Sequence, residues 1–416
     1  MDSLPLEVIG NILSRLGGAR NVIIASATCR RWRLACHKHL HTLSFDFEDW
    51  PAYQDFTTSQ LEILITQTVF QTSCLQGLRI FLNDGREFSA STVIAWLMYT
   101  RETLRSLECN VRTTSDVNVL EICGRQKLES LELSHNLITG VEPNFQRFPS
   151  LKSLALNRIS ISALDLSLLL SACPKLENLE LYTPDIAVSD AQVTISSLTL
   201  KTMYFESMNL DKFVLEADNI EFLQIKECTL ELFELVGKGT LKHLIIDDLS
   251  VIHFDIGEKL DNLEIVDISN FTVAWPKFYH IISNSINMRT LRFWDVHFED
   301  DEVVDLETVA FSFPRLGHLA LCYDAREGVV QYDLQNTAYF DNVTVMELGW
   351  TILSDHFSQW VESLVKRCPN LRMILIRGSV SEPKSHEESQ TLANFTAEMI
   401  KLFRKYIHVD VRFDYE

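Results

Sequence analysis

The sequence predicts an α/β fold: a short three-helix unit at the N-terminus, then a solenoid whose curved parallel sheet carries helices and loops on its convex side. Three observations predict it. One apolar phrase returns to the end of the chain, the segments between copies take helical spacing where they are long, and the first forty residues carry helical stripes instead of the phrase. The clearest copy runs Leu128-Glu-Ser-Leu131-Glu-Leu133-Ser-His-Asn136-Leu-Ile138. Its core, L-x-x-L-x-L with conservative apolar swaps, starts at Leu40, Leu75, Leu104, Leu128, Leu151, Leu176, Leu200, Ile220, Leu241, Leu263, Met288, Leu316, Val343 and Leu371. These fourteen starts lie 35, 29, 24, 23, 25, 24, 20, 21, 22, 25, 28, 27 and 28 residues apart. A pattern this permissive also matches by accident, so the regular spacing carries the weight.

The 128–138 copy meets the leucine-rich-repeat template at every specified position, with Ile138 for the last Leu, and most gaps fall in the roughly 20–29 residues such repeats allow. Each phrase then forms one short strand, its fixed apolar residues pointing into the core and its variable ones outward. Helical spacing predicts helices over 89–100, 162–173, 300–311 and 354–368. From Leu200 to Leu263 the copies are only 20 to 22 residues apart. A strand and two turns use most of that, which predicts short helical turns or extended loops. Before four of the phrases stands the same stop signal: Phe148-Pro149, Cys173-Pro174, Phe313-Pro314 and Cys368-Pro369. Proline ends a helix and biases the chain toward extended geometry. Past Leu371, residues 381–389 read as an exposed polar loop, 392–406 as a helix and 408–413 as a half-buried strand, together a C-terminal cap.

The first forty residues are built differently. Pro5 falls where a helix first turn tolerates it. Ile9, Ile12, Leu13 and Leu16 make one helical stripe, and Gly17-Gly18 ends it. An apolar stretch from Val22 to Ala27 leads into Cys29-Arg-Arg-Trp32-Arg33 and a basic helix through Leu40. Three such helices bury too little surface to be comfortable alone. The combination Leu4-Pro5, Glu7, Ile9, Ile12-Leu13-Ser14, Leu16, Val22, Ser26, Cys29-Arg30-Arg31-Trp32 resembles an F-box. It departs mildly in the connection Gly17-Gly18-Ala19-Arg20, where that family often has Pro and an acidic residue. The resemblance implies docking on a Skp adaptor, and through it on a cullin and a RING subunit, by Leu4, Pro5, Ile9, Ile12, Leu13, Val22 and Cys29. Trp32 would help hold the helices together. The plain alternative is a helical cap shielding the first repeat. The repeats, with their recurring Cys-Pro or Phe-Pro stops, resemble those of F-box leucine-rich proteins, particularly the plant ones. The chain is thus expected to divide into an F-box at 1–41, a leucine-rich-repeat solenoid at 42–380 and a cap at 381–416.

Composition narrows the function. With 46% apolar and 23% charged residues, the chain suits a folded soluble protein. No apolar run approaches the roughly 18 residues that span a membrane, and Asp2 and Glu7 speak against a signal peptide. Nine cysteines without framework spacing suggest reduced thiols, hence nucleus or cytoplasm. A formal charge of −20 repels phosphate backbones and anionic lipid, so neither nucleic acid nor membrane is the expected partner. Cys36, His37, His39 and His41 tempt as metal ligands, but on a helix only His37 and His41 share a face and no second pair stands at zinc spacing. No phosphate-binding loop, nucleophile elbow or zinc-protease motif occurs, and Cys74, Cys109, Cys123 and Cys322 read as packed thiols. No enzyme site and no cofactor are expected.

What remains is the outward edge of the strands. The third, fifth and seventh positions of the phrases predict a lining of Glu108, Glu132, Glu180, Tyr182, Tyr204, Glu206, Phe222, Asp247, Asp267, Arg292 and Trp294, with Ser130 and Ser134 beside Glu132. Its basic residues, Arg79, Lys226, Arg292 and Arg377, look dispersed. An acidic strip with aromatic anchors suits a basic or amphipathic protein segment; the plain alternative is a solvated face. Two aromatic loops, 46–56 and 321–341, are further candidates, as contact loops or lids. The leading expectation is a non-catalytic substrate receptor of a cullin–RING ubiquitin ligase. A small-molecule co-receptor, like the plant hormone receptors that the architecture resembles, would need a basic pocket for a polyphosphate cofactor, which an acidic lining does not offer. A ligase-independent interaction scaffold is the third.

Overall fold

A computed structural model describes residues 4–48, 51–82, 85–123, 126–141, 148–186, 192–257, 259–299, 302–323, 332–333, 339–350, 355–378 and 386–415. The chain divides into two compact units, Met1–Ala217 and Asp218–Glu416.

The first unit opens with helices α1 (Leu6–Arg15), α2 (Ala19–Ala27) and α3 (Arg30–His39). Pro5 stands at the N-cap of α1, one residue before the helix, and Gly17 takes a left-handed φ of 72° just after it. A methyl group at Gly10 would lie 2.4 Å from His39 Cβ, so only glycine lets α1 approach α3 this closely. The helices are tied to the first repeat strand. The His41 N–H donates to Ser14 Oγ at 2.9 Å, the Thr42 hydroxyl donates to the Ser14 carbonyl at 2.8 Å, and the Ser44 N–H donates to the Gly17 carbonyl at 3.3 Å.

Seven phrases of this unit each give a strand: Thr42–Asp46, Gly77–Phe81, Ser106–Asn110, Ser130–Ser134, Ser153–Asn157, Asn178–Tyr182 and Thr202–Glu206. All pair in parallel, with Leu43, Leu78, Leu107, Leu131, Leu154, Leu179 and Met203 in one register row. Every one of them is buried, and each fully buried aliphatic side chain contributes roughly 1.5–3 kcal/mol. Behind the strands lie helices Ala90–Thr100 and Ala163–Ser171, near the expected positions. A third helix, Thr58–Phe70, lies outside the expected set. Its apolar residues surround the helix instead of forming a stripe, yet Thr57 and Gln60 make a capping box that is legible in the sequence.

The second unit repeats the arrangement with strands beginning at Phe222, His243, Ile265, Thr290, His318, Val345 and Met373, again parallel and in register. Asp410–Tyr415 adds a further parallel strand beside Met373–Gly378. The expected extended connections are present as strands: Phe222–Val236 and His243–Asp255 run through their turns without any helix. Their outer halves, Cys228–Val236 and Leu249–Asp255, show period-two alternation, which favours strand once spacing leaves no room for a helix. Two expected boundaries are corrected. Leu306–Ser312 is shorter than 300–311, because Val304–Asp305 pairs with Tyr332–Asp333 and Asp305 caps the helix by accepting the Glu307 N–H at 2.9 Å. The C-terminal helix begins at His386. Residues 386–389 are therefore helical, Glu387 and Glu388 favouring an N-terminal turn, while 381–385 lie outside the described residues.

One backbone feature recurs in both units. His135, Arg158, Thr183 and Ser207 in the first, and Glu227, Asp248, Asn270 and Asp295 in the second, all have φ between 44° and 55°. Each is the eighth residue of its phrase, the corner at which the chain turns, ending the strand in the first unit and bending it in the second.

Candidate functional site

The helical unit presents an apolar row. Helix α1 is apolar on two sides, which a single stripe drawn on the sequence merges. Ile9 and Leu13 point inward and, with Val22 of α2, are at most 1% exposed. Val8, Ile12 and Leu16, spaced four residues apart on the other side, are 38–42% exposed. The assignment of Ile9, Leu13 and Val22 as docking contacts is corrected on this ground: they hold the helices together and have no surface left to offer. Pro5, Ile12 and Cys29 are exposed and Leu4 is half-buried. Val8 joins them, although a stripe drawn through Ile9 leaves it out. Ile24 and Leu34 are further exposed apolar side chains on α2 and α3. Arg31 donates to the Leu4 carbonyl, fixing the segment that enters α1.

On the repeat strands, Glu132, Glu180, Tyr182, Tyr204, Phe222, Asp267, Arg292 and Trp294 are all half-buried, with side chains on the exposed face between core rows. In the first unit Arg79 is held between Asp46 (3.2 Å) and Glu108 (2.8 Å). Glu132 follows Glu108 in register, then Ala155, then Glu180. Ala155 has only a methyl group between two longer side chains and is itself buried, so it marks a shallow dip in the strip, the Ala155 notch, between two carboxylates. Burial raises the Glu132 carboxyl above the ordinary range, and Glu108 and Glu180 raise it further against the pull of Arg79. Beyond the notch the Tyr182 hydroxyl donates to Glu180 (2.8 Å) and the Tyr204 hydroxyl to Glu206 (2.5 Å), with the two rings 4.8 Å apart. Burial, then that bond to Glu180, pushes the Tyr182 phenol well up. Ser134, expected on the strip, is instead buried, as is Asn110 beside it.

The second unit's strip is built otherwise. Arg292 pairs with Asp267 at 3.1 Å. Arg292 and Arg377, expected to be dispersed, both lie over the Trp294 ring, at 5.5 and 5.7 Å. Small neighbours bring them together: Trp294 lies across Gly349, where a methyl group would be 2.5 Å from its ring. Arg377 also faces Glu347 (3.6 Å) and Asp414 (3.5 Å), and His318 faces Glu347 at 3.0 Å. The bond from His318 holds the Glu347 carboxyl below its ordinary range despite burial. Phe222 packs edge-on against His243, and Ser269 donates to Asp247 at 2.7 Å.

The remaining candidates have structural employment. The His37 ring bonds to the Gln71 carbonyl (2.7 Å) and His41 to that of Cys74 (3.2 Å), while Cys36 is buried. Cys109, Cys123 and Cys322 are buried, and burial pushes the Cys109 thiol to about 12. In the 46–56 loop Tyr53 is buried and Arg86 donates to the Gln54 and Phe56 carbonyls, so the described part folds inward; residues 49–50 lie outside the described residues. In the 321–341 loop Tyr323 and Tyr332 are buried and Tyr339 is exposed, with 324–331 and 334–338 outside the described residues.

Three helices displaying an apolar row precede repeat strands displaying a polar and aromatic strip, a helical unit followed by a leucine-rich-repeat array. An F-box-like family matches residues 1–43, and a family described as FBD-associated F-box protein At5g56370, LRR repeats, matches residues 101–234. The chain is 63% identical over 419 residues to F-box/LRR-repeat protein At1g67190 of Arabidopsis thaliana, covering 100% of both chains. It is 22% identical over 413 residues to F-box protein At1g10780 of the same plant, covering 91% of this chain and 92% of the other. The chain belongs to the F-box/leucine-rich-repeat family. Members of that family are generally non-catalytic adaptors, and F-box domains typically bind Skp-type adaptors.

Proposed function

We propose that this chain is the substrate-recognition subunit of a Skp–cullin–F-box ubiquitin ligase, working in the nucleus, the cytoplasm or both. Residues 1–41 dock on the adaptor, 42–380 carry the recognition face and 381–416 close its end. The row Val8, Ile12 and Leu16, with Leu4, Pro5 and Cys29, supplies the adaptor contact. The observation that carries the reading is this exposed row on an F-box-like unit whose own core is already filled. The chain contributes proximity: it raises the effective concentration of a target lysine near a recruited conjugating enzyme.

Target recognition falls to the strip of the first unit. The Ala155 notch, with Glu132 and Glu180 on either side and Tyr182 and Tyr204 adjoining, suits a lysine or arginine of a basic or amphipathic segment. The co-receptor reading gains nothing from the meeting of Arg292 and Arg377, because Asp267, Glu347 and Asp414 already neutralise them.

Pull-downs of Val8→Asp/Ile12→Asp against wild type, both monitored for native folding, test the docking. Loss of adaptor and cullin is expected, and equal recovery would overturn the proposal. For the strip, Glu180→Lys and Glu132→Lys should each lower target recovery at least tenfold with adaptor binding intact.

A further inference from the structure

The outer strands of the second unit leave one backbone edge open. Past their corners, Phe222–Val236 and His243–Asp255 pair from Cys228↔Leu249 to Glu234↔Asp255, with one break at Glu231 and Ile252. On its other side, His243–Asp255 pairs with Ile265–Val273 only as far as Leu249↔Phe271. Residues 250–255 therefore have a partner strand on one side alone among the described residues. The cause is local: the following repeat changes from strand to helix at Trp275–Ile282, with Pro276 in its first turn. Proline cannot extend the ladder, because it has no N–H to give.

Between this edge and the helix lies a slot of about 480 Å³. Val251, Ile252 and Phe254 line one wall, and Phe271, Phe278 and Ile281 the other. Ile252 is 71% exposed. Phe254 stacks on Phe233 at 5.4 Å and meets Phe271 edge-on at 5.3 Å, so the two walls close on each other through aromatic rings at the bottom of the slot. The rim carries Glu234, Asp255 and Glu299 against the single lysine Lys277. None of these four is in an ion pair among the described residues. Proteins ordinarily blunt an open strand edge with charge, proline or a cover. Here an apolar residue stands on the edge and an apolar trough beside it, the arrangement that strand addition uses.

We propose that residues 250–255 accept an extended segment of a partner protein as an added β-strand, with aliphatic side chains at alternate positions entering the slot and lysine or arginine between them. Backbone hydrogen bonds to the open edge supply the affinity. The acidic rim selects the basic residues and turns away acidic strands. The site is separate from the Glu132–Glu180 strip and does not depend on the role proposed for it.

A fluorescent heptapeptide of alternating lysine and valine is the probe, titrated by anisotropy into the full-length chain. Saturable binding is expected, with amide hydrogen exchange slowed at 250–255. Methylating alternate backbone nitrogens of the probe, in one of the two possible phases, should weaken binding at least tenfold. Glu234→Lys/Glu299→Lys should weaken it similarly, and replacing the probe's lysines by glutamates should restore binding to that variant. Slowed exchange at 250–255 without slowed exchange at 130–134 and 178–182 separates this site from the target strip. The proposal is overturned by no saturation at millimolar probe, by indifference to methylation in both phases, or by exchange protection on the first unit's strip instead. Self-association of the chain that the probe disperses would also overturn it, since a second copy would then be the occupant.

Discussion

The two strips use the same positions of the same repeat for opposite ends. In the first unit Arg79, Glu108, Glu132 and Glu180 share one register row, Asp46 and Glu206 stand in the row beside it, and Arg79 is the one cation of these two rows. Their carboxylates disturb one another, and Ala155 leaves a dip between two of them. In the second unit each guanidinium of the strip has a carboxylate beside it, and the outer edge of the Trp294 ring occupies the space that a side chain at Gly349 would take. A surface whose charges are mutually satisfied gains little from a ligand, whereas one that holds unbalanced carboxylates close together gains from any cation that fits. On the function proposed above, the first strip is the one assigned to recognition, while the second is packed for stability.

The largest test of this contrast is steric. Gly349→Val forces Trp294 off the sheet and should destabilise the protein by about 1–3 kcal/mol, the usual cost of overpacking, measured as a lower urea midpoint. Ala155→Val, the matching change in the first strip, adds two methyl groups between Glu132 and Glu180, whose flexible side chains can swing toward solvent, so it should lower that midpoint by less than Gly349→Val does, while weakening target capture. If both substitutions cost the same, the two strips are equally packed and the distinction fails. A smaller effect comes from Arg292→Ala. It strips Asp267 of its partner and takes one cation from Trp294, so a loss of about 1 kcal/mol is expected in urea denaturation.

Much of this was legible in the sequence, for reasons that can be named. Strand positions followed from the phrase because one-residue slips would expose an entire core row; all fourteen starts precede a strand by two residues. Helix 58–70 was hidden because its apolar residues face all ways, and period alone cannot place such a segment. Corners such as Glu227 and Asp248 fall at a position the template leaves free, so their left-handed backbone is imposed by the repeat geometry and not by residue type. At the candidate sites, a phrase tells which side of a strand a residue faces but not the size of its neighbours two strands away. The meeting of Arg292, Trp294 and Arg377 depended on Gly349, and the notch depended on Ala155. On α1 the difficulty was of another kind: Ile9 and Ile12 read as one stripe, although only one of them is turned to the core.

The smallest effect is also the one that compares the strips in a single measurement, stability against pH. The Glu132 carboxyl is raised by burial and by its acidic neighbours, so the folded state binds its proton more tightly than the unfolded state does. By linkage, its favourable contribution is complete below the ordinary glutamate value and is lost as pH rises through the raised one. Glu132→Gln should thus stabilise the protein near neutrality, and the gain should vanish below about pH 4. Glu347 is lowered, chiefly by its bond from His318. Its contribution is present above the ordinary glutamate value and is lost as pH falls through the lowered one, so Glu347→Gln should destabilise near neutrality and less so in acid. Both carboxyls are partly solvated, and screening limits each effect to the order of a few tenths of a kcal/mol. The signs are the test: urea midpoints of the two variants, taken from pH 3 to pH 7, should diverge from wild type in opposite directions as pH rises. Two shifts of the same sign would mean that Glu132 has a cation partner in the free protein, leaving the Ala155 notch with no unbalanced charge to offer a target.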